Sequence, residues 1–496
     1  MFDNLVLGAV TAFSLHNLLY AFIGVLLGNI IGVLPGIGAL AAISMLLPVT
    51  YGLDPIGALL MLAGLYYGTS FGGATTSILL NLPGTPSHAI VCVEGNPMAR
   101  QGRGGIAIFV AMLSSFVGVA IGILVMTFFS PLLTELALVF GPAEYFALML
   151  LGLIAASTLT TSSPLKGIVS VVIGLLFGVI GIDVNSGLAR LNFGFHELQD
   201  GISLVALAMG LFGVSDVLAH AGHLGDGTVI TDSNVRGRSM LPDWKTLKRS
   251  GGSIGRGSII GSALGILPGA GGSMASFMSY AIEKRVSRTP QRFGKGVIQG
   301  ISGPEAANSS AAITAFIPTL TLGIPGDAIM ALMLGALMIH NITPGPLLMT
   351  DHPELFWGLL ASFGIGNLML LVLNIPLIKV WVKLLSVPYR LTYPVILFLI
   401  AIGVYSANNN LFDVSLVLII GVFGYLAVSL GYQPAPLLLG FVLGPMLEEN
   451  FRRALVLSRG DLTVFFTEAI SGWIMAFIIL ILLLVAIKQI RRIKLS

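Results

Sequence analysis

The chain has 496 residues, of which 55% are hydrophobic and only 9% charged, with a net charge of +3. A soluble domain carries about 25% charged residues, so lipid is the expected solvent for much of this chain. Its basic residues sit in short loops, which gives no footprint for nucleic acid. The single cysteine, Cys92, excludes an intramolecular disulfide and argues against a cysteine-based metal cluster.

Along the chain, the N-terminus shows neither a basic region nor a small-residue cleavage site, so no removable signal peptide is expected. The first apolar segment breaks in the run Gly-Asn-Ile-Ile-Gly-Val-Leu-Pro-Gly-Ile-Gly, from Gly28 to Gly38. A segment rich in Gly, Ser and Thr then begins near Gly68 and ends at Leu82-Pro83-Gly84-Thr85. Apolar runs follow at 104–130, 142–162 and 201–219, each close to the roughly 20 residues that cross a bilayer. Residues 222–256 are the most polar stretch and read as a linker.

After the linker the pattern returns. Gly-Ser-Ala-Leu-Gly-Ile-Leu-Pro-Gly-Ala-Gly, from Gly261 to Gly271, matches the first break at six of 11 positions, at an offset of 261 − 28 = 233. A polar segment beginning near Asn308 ends at Ile324-Pro325-Gly326-Asp327. Apolar runs at 355–378, 411–431 and 469–487 complete the chain. The expected fold is an all-α polytopic membrane protein with about 10–12 transmembrane segments, including broken and re-entrant helices. Its expected parts are a first repeat half at 1–221, a polar cytoplasmic linker at 222–256 and a second repeat half at 257–496.

The breaks carry the functional argument. Proline removes a backbone donor, and glycine permits non-helical angles. In hydrocarbon the freed amides and carbonyls are tolerated only where protein or a wet cavity satisfies them. Broken helices at matching places in two halves therefore point to a transport site. The basic residues give an orientation. No Lys or Arg precedes Arg100, whereas Arg236 to Arg256 and Lys284 to Lys295 flank Pro268, and none lies between Pro325 and Lys379. Because basic loops stay in the cytoplasm, 222–256, 284–296, the Arg100 loop and the C-terminus are expected inside and 340–354 outside. Residues 257–283 then form a re-entrant hairpin, and the two repeats have inverted topology.

At these residues the sequence resembles the large membrane subunit of the tripartite tricarboxylate transporter family. The resemblance runs through Leu34-Pro35-Gly36-Ile37-Gly38, Tyr66-Tyr67-Gly68 and the run from Gly72 to Gly84. It continues through Met98-Ala99-Arg100-Gln101-Gly102-Arg103, Phe140 to Phe146, Asp183 to Gly187, Pro304 to Ser309 and Leu322 to Gly326. It implies a multi-pass carrier of the bacterial inner membrane, driven by a sodium or proton gradient and without another cofactor. It also implies a small membrane subunit and a periplasmic binding protein as partners, and carboxylates such as citrate as substrates. The alternative is a stand-alone organic anion carrier or channel.

An anionic substrate needs positive potential, yet the repeated motifs hold no Lys or Arg. Helix N-termini supply it without a full charge. The expected carboxylate-binding set is Pro35, Gly36, Gly38, Thr75, Thr76, Ser77, Gly84, Thr85, Gly269, Gly271, Gly272, Ser273, Asn308, Ser309, Ser310 and Gly326. A coupling cation wants oxygen ligands, for which Asn81, Glu305, Thr319, Thr321 and Asp327 are candidates. Asp327 is equally suited to cap the helix after Gly326. His88 and His340 carry no readable role, and Glu448 and Glu449 read as helix-surface partners of Arg452 and Arg453. No HExxH pattern is present and Cys92 has no evident partner, so an enzyme is not expected.

Overall fold

The computed structural model describes residues 2–34, 38–158, 163–183, 186–220, 240–267, 269, 271–385 and 389–493. Pro35, Gly36, Pro268 and the linker residues 222–239 lie outside that set. The first half contains α1 (Phe2–Ala12), α2 (Leu15–Val33), α3 (Ala39–Leu46), α4 (Pro55–Leu80), α5 (Ala89–Met98), α6 (Gly104–Ala137), α7 (Pro142–Thr158), α8 (Pro164–Gly178), α9 (Leu204–Ala208) and α10 (Ser215–His220). The second half contains α11 (Trp244–Ile266), α12 (Gly271–Val286), α13 (Gln299–Thr314), α14 (Phe316–Thr321), α15 (Ala328–Ile339), α16 (Leu348–Asp351), α17 (Pro353–Leu384), α18 (Tyr389–Asn408), α19 (Leu411–Ser429), α20 (Pro434–Leu457), α21 (Val464–Thr467) and α22 (Ala469–Ile493). The strands β1 (Gly181–Ile182) and β2 (Ala189–Arg190) form a small antiparallel hairpin. Helix α11 begins at Trp244, so residues 244–256 of the expected linker are helical.

Among the described residues, six helices are long and apolar enough to cross a membrane, and seven shorter apolar helices accompany them. The six apolar runs of the sequence fall on α6, α7, α9–α10, α17, α19 and α22. This is an all-α, multi-pass membrane protein.

The glycine content has a geometric use. Residues four apart share one helix face. Gly24, Gly28 and Gly32 of α2 lie against the backbone of Met61, Leu65 and Thr69 of α4. Gly257, Gly261 and Gly265 of α11 lie in the same way against Gly303, Ala307 and Ala311 of α13. Each pair keeps the same offset (257 − 24, 261 − 28 and 265 − 32 all equal 233). A side chain at any of these six would collide with backbone, so glycine here sets close helix approach.

The halves are interlocked rather than side by side. Helix α6 of the first half packs on α11 and α13 of the second, while α17 of the second packs on α2 and α4 of the first. Gly118 of α6 meets the backbone of Ala306, and Asn367 of α17 donates to the Phe116 carbonyl at 2.9 Å. Tyr67, Phe316 and Phe363 join α4, α14 and α17 through edge-to-face and tilted ring contacts with centroids 5.3 and 5.0 Å apart. Farther out, Arg452 on α20 pairs with Glu448 and Asp183, and Arg190 on β2 pairs with Glu448 at 2.8 Å, which ties the hairpin to α20. Glu449 pairs with Arg453 one helical turn on, as the spacing indicates.

Candidate functional site

The two breaks of the second half meet. The Gly269 amide donates to the Gly326 carbonyl at 2.8 Å, joining the corner between α11 and α12 to the corner before α15. Gly269 and Gly271 have φ of +82° and +58°, a left-handed conformation that glycine adopts without cost. These turns direct α12 to start at Gly271, where its unpaired amides gather. Asp327 lies beside Gly271, and the Asn308 side-chain oxygen lies against Gly272. Asn308 donates to Ser70 of α4 at 3.0 Å, so the first half closes the same site. Ser70, Gly272, Ser273 and Asp327 are partly exposed there.

The corner before α5 reaches this region because the 86–88 turn packs on α12. Thr85 is partly exposed, and its hydroxyl lies 2.7 Å from both His88 Nδ1 and Ser87 Oγ. His88 Nε2 faces Glu305 Oε1 at 3.6 Å, within ion-pair reach but longer than a hydrogen bond. The other Glu305 oxygen accepts from Ser115 of α6 at 2.9 Å. Glu305 and Asn308 are three residues apart and share one face of α13.

Several expected residues serve the scaffold. Thr76 donates to the Val33 carbonyl at 2.8 Å and so closes the end of α2 ahead of its break. Ser77 donates to the Gly73 carbonyl and accepts from the Gly84 amide, which pins the 82–84 corner to α4. Gly84 itself abuts Gly73, and Gly269 abuts the Ala155–Ala156 backbone of α7, so packing alone requires a small residue at both. Ser310 donates to the Ser258 carbonyl across the α11–α13 contact. Thr319 and Thr321 bond back to their own helix at 2.7 Å. Asn81 ends α4 in a left-handed conformation and is exposed. Asp327 caps α15 by accepting from the Met330 amide at 2.9 Å. Thr75 is buried with its hydroxyl unpartnered, Ser309 is buried, and Gly38 opens α3 with free space around it. Gly38 and Thr76 belong to the α2–α3 break of the first half.

Two features escape sequence reading. His88 has no signal except its place three residues after Thr85. Glu94 is fully buried and accepts from the Tyr280 hydroxyl and the Gly294, Gly296 and Val297 amides, which straps the 287–298 loop to α5. Beside this strap is a polar cavity of about 510 Å³. Arg103, Arg249, Arg288 and Arg292 line it, with Arg256 held by Glu283 at 2.7 Å.

A sequence model described as the tripartite tricarboxylate transporter TctA family matches residues 18–439. The chain belongs to this family. A TctA-family chain is the large membrane subunit of a tripartite system, which implies two further subunits. An Agrobacterium vitis protein described as an uncharacterized 52.8 kDa protein in the TAR-I ttuC' 3' region is 47% identical over 479 residues, covering 96% of this chain and 94% of its own length. A second A. vitis protein, described as uncharacterized and in the TAR-II ttuC' 3' region, is 52% identical over 231 residues, covering 47% of this chain and 96% of its own length. No solved structure matches the chain significantly.

Proposed function

We propose that this chain is the membrane-spanning carrier of an ion-gradient-driven, binding-protein-dependent importer of small di- or tricarboxylates such as citrate. The carrier resides in the bacterial inner membrane and works with a small membrane subunit and a periplasmic binding protein. The supporting observation is the convergence at the N-terminus of α12. There Gly271, Gly272 and Ser273 of one break, Gly326 and Asp327 of another, and Asn308 with Ser70 surround one partly open polar place. Amides at a helix start attract a carboxylate without a buried Lys or Arg, and Thr85 and Ser309 lie on adjoining segments. The arginine-lined cavity beside the 287–298 strap is the cytoplasmic exit basin in this reading, where positive charge draws the anion out of the site.

The halves have inverted topology in this proposal, with Lys245 inside and Asp351 outside. Reconstitution with both partner subunits tests the function. Labelled carboxylate should accumulate inside vesicles under an imposed ion gradient, and an ionophore should abolish that accumulation. Equilibration that ignores the ionophore would mark a channel. Single cysteines near Lys245 and near Asp351, in a Cys92→Ala background, should label from opposite faces. Labelling from one face would overturn the inverted arrangement.

A further inference from the structure

We propose that His88 and Glu305 form a proton-binding site that holds one exchangeable proton between the two halves of the carrier. The inference rests on the transport reading above and specifies its coupling ion. Both side chains are 1% exposed. His88 Nε2 and Glu305 Oε1 face each other at 3.6 Å, and neither atom has a hydrogen-bond partner. Their other ends are anchored, His88 Nδ1 by Thr85 and Glu305 Oε2 by Ser115. Two buried polar atoms that face each other without a hydrogen bond are costly.

Charge and ligand supply together point to the occupant. A neutral imidazole beside an ionised carboxylate leaves one negative charge in the membrane interior, where charge is expensive. One added proton cancels it, whether the pair is then written as imidazolium with carboxylate or as imidazole with carboxylic acid. A second proton would restore a net charge. A hard metal cation wants several oxygen ligands, and the gap between the two facing atoms offers one carboxylate oxygen and a ring nitrogen, the Ser115 and Thr85 hydroxyls being engaged at the far ends of the two side chains.

The buried and partly buried carboxylates on the surrounding elements are engaged elsewhere. On α5, Glu94 is held by Tyr280 of α12 and three loop amides. Glu283 of α12 is paired with Arg256 of α11. Asp327 caps α15. Cys92 is on α5, and Tyr66 and Tyr67 on α4 are buried phenols. Lys245, Lys248 and Arg249 lie in the first turns of α11, Lys284 and Arg285 in the last turn of α12, and Arg103 and Glu135 at the two ends of α6. Thr85, partly exposed, links the pair to the open edge of the site. Glu305 shares a helix face with Asn308, so proton and carboxylate occupy neighbouring turns of α13. His88 belongs to the first half and Glu305 to the second, so movement of one half against the other changes the gap that the proton spans.

Proteoliposomes holding the whole assembly test this with the wild type, Glu305→Gln and His88→Gln. Three readouts are needed: accumulation under an acid-outside gradient, accumulation under a sodium gradient, and carboxylate counterflow without a gradient. The wild type should accumulate carboxylate under the acid-outside gradient and take up protons with it, seen with a pH dye. Glu305→Gln should lose both while keeping counterflow, and His88→Gln is read in the same way if Glu305→Gln fails to reach the membrane. Wild-type accumulation driven by sodium alone, or an undiminished proton-driven response in the variants, would overturn the proposal. Absent counterflow in the wild type would instead overturn the transport reading beneath it.

Discussion

The corner at 82–88 and the corner at 324–330 have the same build and different chemistry. Both follow a left-handed residue, Asn81 in one and Gly323 in the other, and both turn through Pro-Gly. One offset relates them, since 323 − 81, 325 − 83 and 327 − 85 all equal 242. In the second corner Asp327 turns back and caps its own helix through the Met330 amide. In the first, Thr85 caps nothing, and its hydroxyl is hydrogen-bonded to His88, the position that matches Met330 (330 − 88 = 242). The partner of His88, Glu305, corresponds to Ala63 in the first half (305 − 63 = 242). A doubled scaffold thus carries one ionisable pair. The two corners share a backbone frame and differ in the side chains it carries.

The largest expected effect tests the shared frame. Gly28→Val and Gly261→Val each drive a side chain into backbone of the facing helix, at Leu65 and Ala307. Each should cost on the order of 3 kcal/mol and deplete the protein from the membrane, measured by immunoblot of membrane fractions. Gly38→Val, with nothing within 4 Å, should leave abundance near normal. Normal abundance of one ladder variant but not the other would show that the halves do not share this packing.

A middle-sized effect tests the first corner. Thr85→Val removes the hydroxyl that holds His88, a loss of about 1 kcal/mol or about fivefold in uptake rate. The acid-outside response should fall more than counterflow does. An equal fall in both would assign Thr85 to substrate rather than to His88. The smallest effect tests the second corner. Asparagine caps a helix as well as aspartate does, so Asp327→Asn should keep both thermal stability and ion dependence. Asp327→Ala should cost about 1 kcal/mol, seen as a lower melting temperature. A changed ion dependence in Asp327→Asn would move Asp327 into the coupling site.

The frame was legible because it is local. Proline and glycine mark the breaks, and the 233-residue offset relates the packed glycines of α2 to those of α11. The hydroxyl set was less legible. Thr319 and Thr321 look available in sequence, but their hydroxyls bond carbonyls four residues earlier on their own helix. Asp327 was open between two roles, and only its distance to the Met330 amide shows the cap. His88 was unreadable for a different reason. Its partner is 305 − 88 = 217 residues away, brought near by the packing of α5 on α13 and of the 86–88 turn on α12, and no local spacing encodes that contact. Glu94 escaped likewise, since its partners lie at Tyr280 and in the 294–297 loop.

The most direct measurement of the central claim is ligand protection at the start of α12. In a Cys92→Ala background, a cysteine at Ser273 is exposed to a thiol reagent with and without carboxylate, and a cysteine at Gly52, exposed and outside both break regions, serves as the control. The account expects carboxylate to slow labelling at Ser273 in proportion to site occupancy and to leave Gly52 unchanged. Equal labelling rates at Ser273 with saturating carboxylate, in protein that transports it, would place the substrate elsewhere and contradict the account.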